Sequence, residues 1–148
     1  MKHLILLAAL IFQSVFMMAQ EKPVKWTSKA EKISDTEYKL IIEGEIQPKW
    51  NIYSQFLESQ DGPVATTLSF ITDGFEIVGK AEESGHKKEG FDEMFGMNVV
   101  KFAEHITFTQ KVKISKKDLK KISLTVNYMS CNNEVCLPPR DEKISIVL

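Results

Sequence analysis

Tyr38-Lys39-Leu40-Ile41-Ile42-Glu43 is the stretch that decides the fold. Tyr38, Leu40 and Ile42 alternate with Lys39, Ile41 and Glu43, a period of two rather than 3.6. A strand sends successive side chains to opposite faces, so this pattern reads as a half-buried strand. Just upstream, Val24 to Ile33 is a second β-rich run, and Ser34-Asp35-Thr36 supplies turn residues between the two. The pair therefore reads as a hairpin. Downstream, further β-rich runs are Val64 to Ile71, Phe75 to Lys80, Val99 to Ile114, Ile122 to Met129 and Lys143 to Leu148, with Trp50 to Leu57 a weaker one. Turn signals separate them at Asp61-Gly62-Pro63, Asp73-Gly74, Ser84-Gly85, Gly90 and Pro138-Pro139. Short strands at this spacing predict an all-β fold, an antiparallel β-sandwich.

The chain has 148 residues, 19 Lys+Arg against 20 Asp+Glu and a formal charge of −1. That length suits about one domain. Near-neutrality argues against nucleic acid as a partner, because phosphate backbones are bound by excess positive charge. Residues 1–20 carry Lys2 and His3, no acid, and an apolar run from Leu4 to Phe12 that resumes at Val15 to Met18. A basic start, a short apolar centre and small Ala19 near the end read as a cleavable signal peptide, with cleavage after Ala19 or Gln20. The run is too short for a spanning helix, which needs about 20 apolar residues. The expected mature domain, 21–148, is exported, does not span the membrane, and meets an oxidising compartment.

Two segments lack a clean strand pattern. Ser115 to Lys121 is short and Lys-rich and reads as a connection. Ala81 to Asn98 holds Gly85, Gly90 and Gly96 beside Phe91, Met94, Phe95 and Met97. So many large apolar side chains suit either a lid over a site or a segment folded back on the core edge.

Cys131 and Cys136 are the only cysteines, separated by Asn132-Asn133-Glu134-Val135. Leu124, Val126 and Tyr128 alternate like a strand ahead of them, Asn132-Asn133 signals a turn, and Pro138-Pro139 is expected to stop regular pairing afterwards. Both thiols then lie near one strand–turn–strand tip. A bridge across so short a loop contributes about 2 kcal/mol by chain entropy, little for a domain large enough to bury its own core. A static bridge and a redox couple both remain open on this reading. The spacing is not the C-x-x-C that places a nucleophilic sulfur at a helix N-terminus, so any tuning must come from neighbouring side chains.

The segment Tyr128-Met-Ser-Cys131-Asn-Asn-Glu-Val-Cys136-Leu-Pro-Pro139 resembles the active-site segment of the N-terminal periplasmic domain of the thiol:disulfide interchange protein DsbD. Asp92-Glu-Met-Phe-Gly96 resembles that family's cap loop, and Trp50-Asn-Ile-Tyr53 its aromatic strand beside the redox site. The resemblance implies an immunoglobulin-like sandwich in which Cys131 and Cys136 cycle between dithiol and disulfide, with Cys136 attacking the partner. It implies a cap of Met94 and Phe95, held by Gly96, with Asp92 and Glu93 near the sulfurs, and Tyr53 and Tyr128 flanking the site. Carboxylates there would raise a thiol's pKa by like-charge repulsion and keep it quiet. The implied partners are periplasmic thioredoxin-like or disulfide-isomerase proteins, with a separate membrane protein as electron donor. No cofactor and no metal are implied.

Two other classes stand beside this one. An Ig-like interaction module would use the same cysteines as a purely structural disulfide. A Cu(I) protein would draw on Cys131 and Cys136 with Met94, Met97, Met129, His86 or His105, since sulfur ligands suit a soft cation. No nucleophile elbow, phosphate-binding loop or zinc-type His-Glu-x-x-His is present, so hydrolase chemistry has no support.

Overall fold

A computed structural model describes residues 21–59 and 61–148. The expected leader, residues 1–20, lies outside the described residues. Eight strands follow one another: β1 (Val24–Lys32), β2 (Glu37–Ile46), β3 (Asn51–Tyr53), β4 (Thr67–Phe70), β5 (Phe75–Asp92), β6 (Met97–Ile114), β7 (Lys121–Cys131) and β8 (Cys136–Val147). Among the described residues there is no helix, and so none long and apolar enough to cross a membrane. Ser115 to Lys121 is a tight connection, closed by Leu119 N–H donating to Lys116 O at 3.0 Å.

Every pairing is antiparallel, and the strands run β1-β2-β6-β3-β7-β4, with β5 added to β6 and β8 added to β7. The sheet curls until its halves face each other as an immunoglobulin-like sandwich. The β1–β2 hairpin forms as expected, with Lys32 opposite Tyr38 and Val24 opposite Ile46. Leu40 and Ile42 are fully buried, and Ile41, expected on the outer face, is buried too. Across the sandwich, Leu40, Ile42, Phe108 and Val112 meet Leu124, Val126, Tyr128, Ile144 and Ile146 in the main core. Trp26 of β1 spans the gap, edge-on to Tyr128 at 5.3 Å between ring centroids.

Ala81 to Asn98 needs correction. β5 continues to Asp92 and β6 begins at Met97, so most of the segment is a two-stranded ribbon with Glu93 to Gly96 as its tip. β5 pairs only with β6 and is exposed along nearly its whole length. A strand held by ladder hydrogen bonds alone buries no side-chain face, so no apolar alternation marks it. Two irregularities bend the ribbon. Gly79, Lys80 and Ala81 bulge opposite buried Gln110, whose amide donates to Val78 O at 3.1 Å and Lys111 O at 2.8 Å. Further along, Glu104 and His105 bulge between the pairs Gly85–Ile106 and His86–Ala103; Glu104 takes a left-handed φ of 61°, and a Cβ added at Gly85 would run into the His105 carbonyl. Bulges of this kind increase twist and re-aim whatever lies beyond them.

The prolines also behave differently from expectation. β8 runs straight through Pro138 and Pro139, which sit in a bulge opposite Met129, between the pairs Ser130–Leu137 and Tyr128–Arg140. β8 pairs only with β7, and an edge strand at a bulge tolerates missing N–H groups.

Candidate functional site

The β7–β8 hairpin ends in a loop built by one side chain. Asn132 Oδ1 accepts hydrogen bonds from the Glu134 and Val135 amides, each at 2.8 Å, and Asn132 N–H donates to Val135 O at 2.9 Å. This closes the turn and sets Cys131 directly opposite Cys136 in the ladder. The two are joined as a disulfide with Cα atoms 4.1 Å apart. Their surroundings differ: Cys131 is 3% exposed, whereas Cys136 is half-buried beside exposed Val135.

The tip of the β5–β6 ribbon lies over this hairpin. Gly96, at φ 66°, completes a tight turn in which its N–H donates to Asp92 O at 2.8 Å. That left-handed φ suits glycine. The Asp92 carboxylate accepts from the Met94 amide at 3.0 Å and pairs with Lys101 Nζ at 2.7 Å. Thus the buried carboxylate organises the tip from inside. Met94 then reaches Cys136, Sδ to Sγ at 3.0 Å. The disulfide carries no thiol proton, so this is a sulfur–sulfur contact. Phe95 turns the other way, edge-on to Tyr53 at 5.7 Å between ring centroids. Phe95, Met97, Leu57 and Cys136 pack around a small cluster of Tyr53, Val99, Met129 and Cys131.

Tyr53 comes from β3, a three-residue strand wedged between β6 and β7 with Asn51 opposite Cys131. The Tyr53 phenol is fully buried. Burial first, and the negative charge of Asp92 second, push its pKa far above the ordinary value of 10. It is therefore a neutral wall of the site. Asn51, Tyr53, Phe91, Asp92, Glu93, Met94, Lys101 and Cys131 surround a cavity of 390 Å³.

The structure brings together Cys131, Cys136, Asp92, Met94, Phe95, Gly96 and Tyr53. Glu93 is exposed at the cavity rim. Asp92 is paired with Lys101, which offsets part of its charge, and Glu93 carries no ion pair among the described residues. Tyr128 departs from the expectation. It shares the β7 face of Leu124 and Val126, and its ring lies in the main core against Trp26, while Met129 and Cys131 belong to the small cluster. Alternation along the strand explains this, since positions 128 and 131 differ by an odd step. Asn51 and Lys101 were not singled out from the sequence, and only the pairing of β3 and β6 shows where they fall. Of the soft donors, Met94, Met97 and Met129 gather near the cysteines. His86 instead pairs with Glu104 at 2.9 Å along the ribbon. Among the described residues, no group of three or more His, Cys, Asp and Glu side chains is placed to hold a metal ion.

Residues 20–148 match the family model described as thiol:disulfide interchange protein DsbD, N-terminal. Among solved structures, the chain is similar to the reduced N-terminal domain of Neisseria meningitidis DsbD, at 18% identity and a TM-score of 0.55, covering 88% of this chain and 91% of that one. It is also similar to the N-terminal periplasmic domain of ScsB from Proteus mirabilis, at 18% identity and a TM-score of 0.61, covering 90% of this chain and 49% of that one. A third likeness is to a structure of the complex between the N. meningitidis DsbD and PilB N-terminal domains, at 15% identity and a TM-score of 0.50, covering 90% and 88%. The comparison with curated proteins returned no match.

Proposed function

The chain belongs to the family of DsbD N-terminal domains, and from that premise we propose that it relays electrons in a periplasm through the Cys131–Cys136 couple. The observation that carries this reading is the asymmetry of the two sulfurs. Cys131 is buried, Cys136 is half-exposed, and the ribbon tip lays Met94 on Cys136. A bridge made only to staple a hairpin needs no such cover. Its cysteines already face each other in the β7–β8 ladder.

In the reduced domain, Cys136 loses its proton and the thiolate attacks one sulfur of a partner's disulfide. A mixed disulfide forms, and the partner's other sulfur leaves as a thiolate. Cys131 then gives up its proton and attacks Cys136 Sγ, expelling the second partner thiolate. Two electrons and two protons pass to the partner, and the domain is left as the disulfide. Reduction by a donor dithiol reverses these steps, again entering at Cys136. In-line approach to Cys136 requires Met94 to move aside, so the cap slows small oxidants and yields to a docked protein. Phe95, anchored on Tyr53, sets where the cap rests.

The partner by this reading is a thioredoxin-like or disulfide-isomerase protein, as the DsbD–PilB complex of the relative suggests, and the donor is a separate membrane protein. Sulfur carries the electrons, so no cofactor is required. The deciding experiment expresses the Cys131→Ala chain in an exporting host and looks for a reductant-sensitive covalent adduct. Capture of a thioredoxin-like protein through Cys136 is the expected result. No adduct, together with a reduction potential below about −300 mV for the wild-type pair, marks a structural bridge and overturns the proposal.

A further inference from the structure

Asn51 has a buried oxygen with nothing to bond. Only 9% of the residue is exposed, and its Oδ1 has no hydrogen-bond donor. Such an oxygen costs as much as a lost hydrogen bond, and buried amides of this kind are rare. Its surroundings narrow what could satisfy it. Asn51 stands opposite Cys131 in the β3–β7 ladder. Directly opposed residues on antiparallel strands point to one face, with Cβ atoms about 4.5–5.5 Å apart. Both residues also line the 390 Å³ cavity.

Three of the other polar groups of that cavity already have partners. Asp92 is held by Lys101 and the Met94 amide, and Asn132 Oδ1 by two loop amides. The group that changes is the sulfur itself. In the disulfide, Cys131 Sγ has no hydrogen. Adding two electrons and two protons breaks the S–S bond and leaves a thiol on each cysteine. The Cys131 S–H is then a donor, weak but adjacent.

We propose that Asn51 is a positioning residue whose Oδ1 accepts a hydrogen bond from the Cys131 thiol in the reduced domain and is left without one in the disulfide. This deepens the electron-relay reading and rests on the pair cycling between both states. The bond favours the dithiol. It also keeps the Cys131 proton in place until the second step, when that proton passes to the departing partner thiolate. Cys136 meets only the thioether of Met94, a weak acceptor, and is the sulfur free to act first.

Asn51→Leu removes the acceptor at similar volume. Equilibration of the folded domain against a reference thiol couple should move about tenfold toward the disulfide, equal to about 30 mV. Asn51→Asp keeps an acceptor oxygen and should retain the dithiol preference. A second readout is independent of that equilibrium. In Cys136→Ala, Cys131 is the sole thiol, and its infrared S–H stretch should lie at the lower frequency of a bonded thiol. Adding Asn51→Leu should return it to the free value. A free S–H band in Cys136→Ala overturns the inference without any Asn51 variant, so misfolding of Asn51→Leu does not protect it. An unchanged equilibrium in folded Asn51→Leu overturns it as well. Capture of a partner by Cys131→Ala beside a free Cys131 S–H band would sink this inference and leave the relay intact.

Discussion

The main core and the small cluster at the hairpin tips share strands β6 and β7 yet are built to different standards. In the core, Phe108, Leu124 and Ile146 are sealed from solvent within one hydrophobic cluster. At the tips, Tyr53, Val99, Met129 and Cys131 are buried too. There the packing is completed by half-exposed Phe95 and Met97, and by polar Asp92 and Asn51 on the cavity wall. The core is closed on every side by the curled sheet. The cluster is closed on one side by a four-residue turn. A closed interior resists change, whereas a covered one can be opened by moving its cover. That difference is what a domain needs when one part must stay folded while another admits a partner.

Truncation should expose the contrast most strongly. Phe108→Ala should cost about 3–5 kcal/mol in urea unfolding, the range for emptying a fully buried aromatic site. A loss under about 1 kcal/mol would mean the two regions are packed alike. Reducing the Cys131–Cys136 bridge should cost about 2 kcal/mol, because the loop it closes is short and already hydrogen-bonded. Unfolding on reduction would show that the tip supports the core. Phe95→Ala should cost less again, about 1 kcal/mol. It should nevertheless speed alkylation of the reduced Cys136 by a small reagent several-fold, and an unchanged rate would remove the cap from the account.

The smallest expected effect concerns pH and the ribbon. His86, beside Glu104, holds that carboxyl below its usual 4.5. A lowered carboxyl contributes stability above its unfolded value and loses it as pH falls through the folded one. The pair is exposed, so the acid slope that Glu104→Gln removes should be barely measurable in thermal melts between pH 5 and 3. A large slope would mean that the ribbon, too, supports the core. At the other extreme, Tyr53 ionises first in the unfolded chain. Stability should therefore fall above pH 10, and Tyr53→Phe should flatten that fall.

The strands lining the core were legible because burial on one face writes alternation into the sequence, as at Tyr38 to Glu43. The cysteine tip was legible from Asn132-Asn133 and the flanking strand. The outer half of β5 was not, because an exposed edge strand is specified by backbone pairing that any side chain permits. Pro138-Pro139 misled for a related reason, since an edge bulge does not need their N–H groups. The resemblance put Tyr128 at the flank of the sulfurs, and strand alternation turns its ring into the main core. Lys101 and Asn51 were invisible because their roles depend on which strands become neighbours, which no local pattern encodes.

That neighbour relation bears on how the domain reaches its structure at all. β3 has three residues, and it joins β6 to β7 in the middle of the sheet. The opposite edge of β6 is taken along its length by β5, and on the edge that β3 joins β6 also pairs with β2, Glu37 opposite Lys113. The sheet thus closes through contacts between distant parts of the chain, and such contacts form slowly because a large loop must be ordered first. Until β3 is seated, the edges of β6 and β7 stay open to other chains. The cysteines add no such delay. They lie on one hairpin, and with only two of them no wrong pairing within the chain exists. The slow event in acquiring a competent relay is therefore the seating of β3, and oxidation of the sulfurs can precede or follow it without trapping the chain.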